Sequence, residues 1–166
     1  MLLLAFKSYK DSGTIGQIIR LSEQYDYVHT ELVFCEHGWQ SFSVSTHVGK
    51  KKTGVVMFNE FNEAIQRPEY WKFYVLPVSD FEAEKCYQEA QSMVGVKYNF
   101  KGILGRLLGR SITNPDRRFC SEVIFETLAK STSLQLPIVA QYRVTPEELH
   151  RWVLEKKYEE YSIKSV

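Results

Sequence analysis

The sequence predicts an α+β domain built on a mainly antiparallel sheet. Strand-length runs of β-branched and aromatic residues follow one another as hairpins. Capped amphipathic helix patterns lie towards both ends. The 166 residues are 44% hydrophobic and 25% charged, the proportions of one soluble globular domain. We therefore read residues 1–166 as one unit, with a core over about 1–130 and a helical extension over about 145–166.

Leu2 to Phe6 reads as a buried strand. Its apolar run is short and no basic region precedes it, unlike a signal peptide. No stretch approaches the ~20 apolar residues of a membrane helix. The expectation is a cytoplasmic protein. Thr14 and Gln17 form a capping-box pattern, and Ile15, Ile18 and Ile19 continue it as a short helix to about Glu23. Tyr27 to Phe34 is a strand, Glu36-His37-Gly38 a turn, and Trp39 to Thr46 the returning strand. In that strand Phe42 and Val44 point one way, and Ser41, Ser43 and Ser45 the other. Lys50 to Lys52 is a solvated loop. Thr53 to Phe58 and Trp71 to Val78 are further strands, with a short helix over Asn59 to Arg67 ended by Pro68.

Asp80 is expected to cap a helix from Phe81 to Val94, with Ala83, Tyr87, Ala90 and Val94 as its buried stripe and Gly95 as its stop. Cys86 lies off that stripe. After Val96 to Phe100, Lys101 to Arg118 is a glycine-containing linker with five basic residues and one acid. Its Ile103, Leu104, Leu107 and Leu108 suit a short helix. Phe119 to Ala129 is a helix with Cys120, Val123, Ile124 and Leu128 on one face, and Glu122, Glu126 and Lys130 facing away. Thr145-Pro146-Glu147-Glu148 opens a last helix to about Lys156.

Net charge is +1, which gives no pull towards nucleic acid or anionic membranes. The three cysteines, Cys35, Cys86 and Cys120, include no Cys-x-x-Cys pair. Neither a disulfide framework nor a metal site is indicated, and no cofactor motif is present. A reducing compartment fits best.

Cys120 heads its helix directly after Arg117, Arg118 and Phe119. A helix N-terminus favours thiolate, the nucleophilic form, and its free N–H groups can receive an oxyanion. Cys120 reads also as a small buried hydrophobe. A cysteine nucleophile needs a base. His37 and His150 are expected at the surface, and His47 lies beside a loop. His29 lies within a strand and shares a face with Glu31 and Val33; its other reading is a half-buried strand residue bonded to backbone. Glu31, two residues on, is expected beside His29 and not behind its ring. A carboxylate on an inner face needs hydrogen bonds.

Tyr27 to Phe34, then Gly95-Val96-Lys97-Tyr98-Asn99, then Phe119-Cys120-Ser121-Glu122, in that order, resembles the circularly permuted NlpC-type papain-like proteins. These include the YiiX-like group and, more distantly, the lecithin retinol acyltransferase-like enzymes. The resemblance spans about residues 1–130. It implies a permuted papain-like core, in which a cysteine-bearing helix packs on the sheet. It implies Cys120 as nucleophile, His29 as base and Tyr98 as a site-lining tyrosine. The third residue would fall near Ser43 or Ser45, a departure, because serine brings no negative charge to an imidazolium. That leaves room for Glu31 to assist. Asn99 stands where many relatives carry Asp. Arg118 and Ser121 join Tyr98 as candidate substrate contacts.

The resemblance implies a cysteine hydrolase, an amidase or peptidase directed at cell-wall peptides, of a kind found in bacteria and phages. The alternatives are a lipid thioesterase or acyltransferase, and a non-catalytic binding module on the same fold. The expected partner is a peptide or acyl substrate, anionic if Lys101, Arg106, Arg110, Arg117 and Arg118 line a cleft. Neither nucleic acid nor a metal is expected, and oligomeric state is left open.

Overall fold

The fold is described from a computed structural model. It covers residues 1–11, 17, 26–45, 54–58, 67–98, 117–138 and 144–163, without the side chains of Ser45, Phe58, Tyr98, Arg117 and Arg118. The expected helices over 14–23 and 59–67, apart from Gln17 and Arg67, the lysine loop, His47, Asn99 and the linker over 101–116 lie outside those residues.

β1 (Leu2–Ser8) is an inner strand of a five-stranded sheet. Its first five residues are all buried. That is the signature of a strand covered on both faces. β2 (Tyr27–Phe34) and β5 (Trp71–Val75) flank it. β3 (Gln40–Ser45) and β4 (Gly54–Phe58) extend the sheet beyond β2. The order is β4-β3-β2-β1-β5, and every neighbouring pair is antiparallel. The turn after β2 is a 3-10 segment, Cys35–His37, closed by Gly38 in the left-handed region at φ 67°. Glycine takes that conformation without a Cβ clash.

Three α-helices are described, and they share one large apolar core with Leu2, Leu4, Phe6, Leu32, Phe34 and Phe42. α1 (Asp80–Ser92) differs from expectation in its cap and its buried stripe. Ser79, not Asp80, is the N-cap, in a reciprocal capping box with Glu82. Cys86, Ala90 and Met93 are its buried residues, whereas Val94 is 49% exposed. Cys86 thus lies on the inner stripe: the 86, 90, 93 spacing is as helical as the expected one, and it faces α2. Burial pushes the Cys86 thiol up to about 12, as expected for an inert structural cysteine.

α2 (Cys120–Ser131) packs on α1 and on β2 and β3. Glu122 does not face away as expected. It is 5% exposed, and its carboxylate accepts from the Phe119 N–H at 2.9 Å. Closing the first turn on itself satisfies an otherwise orphaned donor, which explains a buried acid here. α3 (Pro146–Glu155) begins at the Thr145–Glu148 capping box, as read from the sequence.

Both sheet edges are covered. Val75 N–H donates to Glu159 O and Tyr161 N–H to Phe73 O, each at 2.9 Å, so the end of the chain lies along β5. At the other edge, Val55 N–H donates to Val96 O at 2.8 Å and Gly95 N–H to Val55 O at 2.9 Å. That close approach requires Gly54, which has φ 140°; a Cβ there would lie 2.5 Å from Val96 O. The Gly95–Val96 turn leads into β6 (Lys97–Tyr98), which pairs in parallel with β7 (Arg117–Arg118). No helix among the described residues is long and apolar enough to cross a membrane.

Candidate active site

The β2–β3 ladder stops at Leu32↔Phe42. Beyond it β3 stays with β4 as far as Ser45↔Gly54, while β2 stays with β1 through Lys7↔His29 and, after a register shift, to Ser8↔Tyr27. The sheet therefore forks at Thr30 and His29. The first turn of α2 meets the fork and brings Cys120, which is 8% exposed, against β2.

The Cys120 thiol and the His29 ring are close enough for each to shift the protonation of the other. His29 Nε2 lies 3.0 Å from Glu31 Oε1. Glu31 was expected beside His29 and not behind its ring. Successive same-face residues of a strand are close enough for a glutamate to fold back, and the carboxylate meets Nε2. Ser43 Oγ is the more distant partner of the same nitrogen at 3.4 Å, and it donates to Thr30 O at 2.7 Å. Cys120, His29, Glu31 and Ser43 thus form one constellation.

Its electrostatics favour charge separation. Burial disfavours an imidazolium, but the hydrogen bonds from His29 to Cys120 and to Glu31 outweigh it and raise His29 from 6.5 to about 10. Burial likewise pushes the Cys120 thiol up. Its hydrogen bond to His29, the imidazolium charge and the N–H groups of Thr30 and Ser121 more than offset this, and the thiol lies below its ordinary 9.0. Both shifts favour thiolate beside imidazolium.

The other expected site residues fall as follows. Ser121 adjoins Cys120, but its side chain is 1% exposed and its hydroxyl donates to Val144 O at 2.6 Å. It ties α2 to the entry of α3. The backbone of Tyr98 is in register with Arg118, two residues before the cysteine; the side chains of Tyr98, Arg118 and Ser45 lie outside the described set. His37 stacks on Tyr87 at 3.6 Å and meets Glu84 at 2.9 Å. His150, expected at the surface, packs among Phe6, Tyr27 and Tyr74.

Two neighbours were not anticipated from sequence. Trp71 packs edge-on to His29, 6.3 Å between centroids, because Lys7 is in register with both residues. Thr30 offers its peptide to the site. Pairing register sets both placements, and residue spacing along one strand carries no signal of it.

A solved structure has a similar fold. It is that of the metalloprotein YiiX from Escherichia coli O157:H7, a DUF1105 protein, with a TM-score of 0.58 and 18% identity over 81% of this chain and 67% of YiiX. No family model matches the chain, and the search of curated proteins gives no match. The metal belongs to the description of YiiX. In this chain, among the described residues, no group of three or more His, Cys, Asp and Glu side chains is placed to hold a metal ion.

Proposed function

We propose that the chain is a cysteine-dependent hydrolase on a permuted papain-like core, attacking an amide or other acyl bond. The observation that carries this reading is the Glu31 carboxylate 3.0 Å from His29 Nε2, on a ring whose protonation is coupled to the Cys120 thiol. With Glu31 on Nε2, Nδ1 is the ring nitrogen that this reading gives to the sulfur. The thiolate of Cys120 attacks the acyl carbon, and the carbonyl electrons move to oxygen. The N–H groups of the first turn of α2 face that oxyanion. His29 gives its proton to the leaving amine and the thioester forms. Water, deprotonated by His29, then releases the acid and the thiol. Glu31 orients the ring and stabilises its cationic form. No cofactor enters these steps.

Serine in the third position was the argument for a non-catalytic module. A carboxylate on Nε2 supplies the charge that serine lacks, and this favours the enzyme. The test is direct. Purified wild type and Cys120→Ala are incubated with a panel of cell-wall-type peptides, peptide amides and acyl thioesters, with products read by mass spectrometry. Turnover by wild type and its loss in Cys120→Ala are expected. Full activity in Cys120→Ala would overturn the reading. An acyl adduct trapped only from thioesters would move it to the acyltransferase class.

A further inference from the structure

The fork in the sheet has a chemical product. In β2, Leu32 pairs with Phe42 and Phe34 with Gln40. One more step of the same register would pair Thr30 with Val44. In an antiparallel ladder that step would commit both the N–H and the C=O of Thr30 to Val44. Instead Val44 pairs only with Val55 on its other side, and the peptide groups of Thr30 are released. Thr30 is fully buried, so both groups need partners. The carbonyl accepts from Ser43 Oγ at 2.7 Å. The N–H is left on the side where the first turn of α2 packs against β2 and β3, and the Thr30 backbone is one of the groups that lower the Cys120 thiol. On the β1 side, Thr30 Oγ1 donates to Ala5 O at 2.9 Å. The residue is held from both flanking strands, and its N–H is free of the β2–β3 ladder.

We propose that the Thr30 peptide N–H is a catalytic group that stabilises the Cys120 thiolate, and that Ser43 is its positioning residue. The proposal deepens the hydrolase reading and rests on Cys120 as the nucleophile. It gives Ser43 a role other than orienting His29: its bond to Thr30 O is shorter than its contact with Nε2 by 0.7 Å, the difference between 3.4 and 2.7 Å. A thiolate that loses a charged hydrogen bond is harder to form. No covalent step is added; the N–H only holds the sulfur charge before attack and after thioester hydrolysis.

The experiment reads Cys120 alkylation by iodoacetamide against pH, with intact mass counting the adduct. The full chain is made by semisynthesis with an ester in place of the His29–Thr30 amide, which deletes this N–H alone. A fall in alkylation rate at pH 7 of roughly tenfold is expected, from loss of a hydrogen bond to a charged group. An ester in place of the Thr30–Glu31 amide is the control. It removes a β1–β2 ladder donor, and should lower stability while leaving the alkylation profile in place. An unchanged rate in the first ester overturns the proposal. If that ester does not fold, Ser43→Ala decides. Through Thr30 it should move the lower limb of the profile upward and leave the upper limb near 10; movement of the upper limb alone overturns the proposal. Failure of the hydrolase reading is separate: it appears as no turnover by wild type, whatever the alkylation profile does.

Discussion

Replacing Glu31 with Gln removes a charge while keeping an acceptor within reach of His29 Nε2. At an effective dielectric near 20, unit charges about 4 Å apart interact by about 4 kcal/mol. That is an upper bound for this pair, because the side chains are 25% and 13% exposed and solvent screens them. A net loss of about 1–2 kcal/mol is expected, equivalent to roughly one unit on the imidazolium. The wild-type signs follow from the shifts. His29 is raised, so its contribution to the folded state is complete below 6.5 and fades as pH rises through about 10. Cys120 is lowered, so its contribution holds above 9.0 and is lost as pH falls through its folded value. The ion pair occupies the window between the folded value of Cys120 and about 10. In Glu31→Gln the upper edge should fall to about 9, while at pH 7, about two units below that edge, the imidazolium stays protonated. Alkylation by iodoacetamide measures it, because Cys35 and Cys86 are pushed up to about 11 and about 12 and stay as thiols in that range. An upper edge that stays in place in Glu31→Gln would refute the assignment of Glu31 as the charge behind the ring.

Gly54→Ala places a methyl 2.5 Å from Val96 O at φ 140°. It should cost about 1–3 kcal/mol and lower the Tm in a thermal melt; an unchanged Tm would show that β4 and the Gly95–Val96 turn separate freely. Glu122→Ala strips the buried Phe119 N–H of its acceptor. A loss of about 1–3 kcal/mol in urea unfolding is expected, together with slower Cys120 alkylation, since the first turn of α2 carries the nucleophile. Full alkylation rate in the folded variant would mean that the turn holds without its acid.

Strand identity was legible because it depends on local pattern. Leu2 to Phe6 announces a strand buried on both faces, and Tyr27 to Phe34 is a strand over the expected residues. The helix starts at Thr145 and Cys120 were legible for the same reason: caps and period are local. The Cys120–His29 meeting was reached through the order of motifs. What was not legible depends on register. The last rung at Leu32↔Phe42 decides that Ser43 serves Thr30, and nothing within the run Gln40 to Ser45 marks it. The stripe on α1 failed for a related reason. Its sequence offers two helical stripes of similar apolarity, 83–87–90–94 and 86–90–93, and only the position of α2 selects the second.

Two histidines near β2 show why neighbours and not burial alone decide protonation. His150 sits among Phe6, Tyr27 and Tyr74, with its Nε2 3.0 Å from the Tyr74 hydroxyl. Burial lowers it below 6.5; Glu160 and Asp26 pull upward and Lys72 downward, and they do not reverse the sign. The ring is neutral at pH 7, and its Nε2 pairs with the Tyr74 hydroxyl as the tautomer dictates. His29 meets burial too, yet it gains a thiol on one side and a carboxylate at 3.0 Å on the other. Charge within hydrogen-bond reach outweighs the cost of burial; charge at longer range does not. A pH profile of Cys120 reactivity should therefore contain His29 and exclude His150. His150→Phe would leave both limbs in place while deleting the Tyr74 contact, and a shifted limb in that variant would mean that the aromatic cluster is coupled to the site.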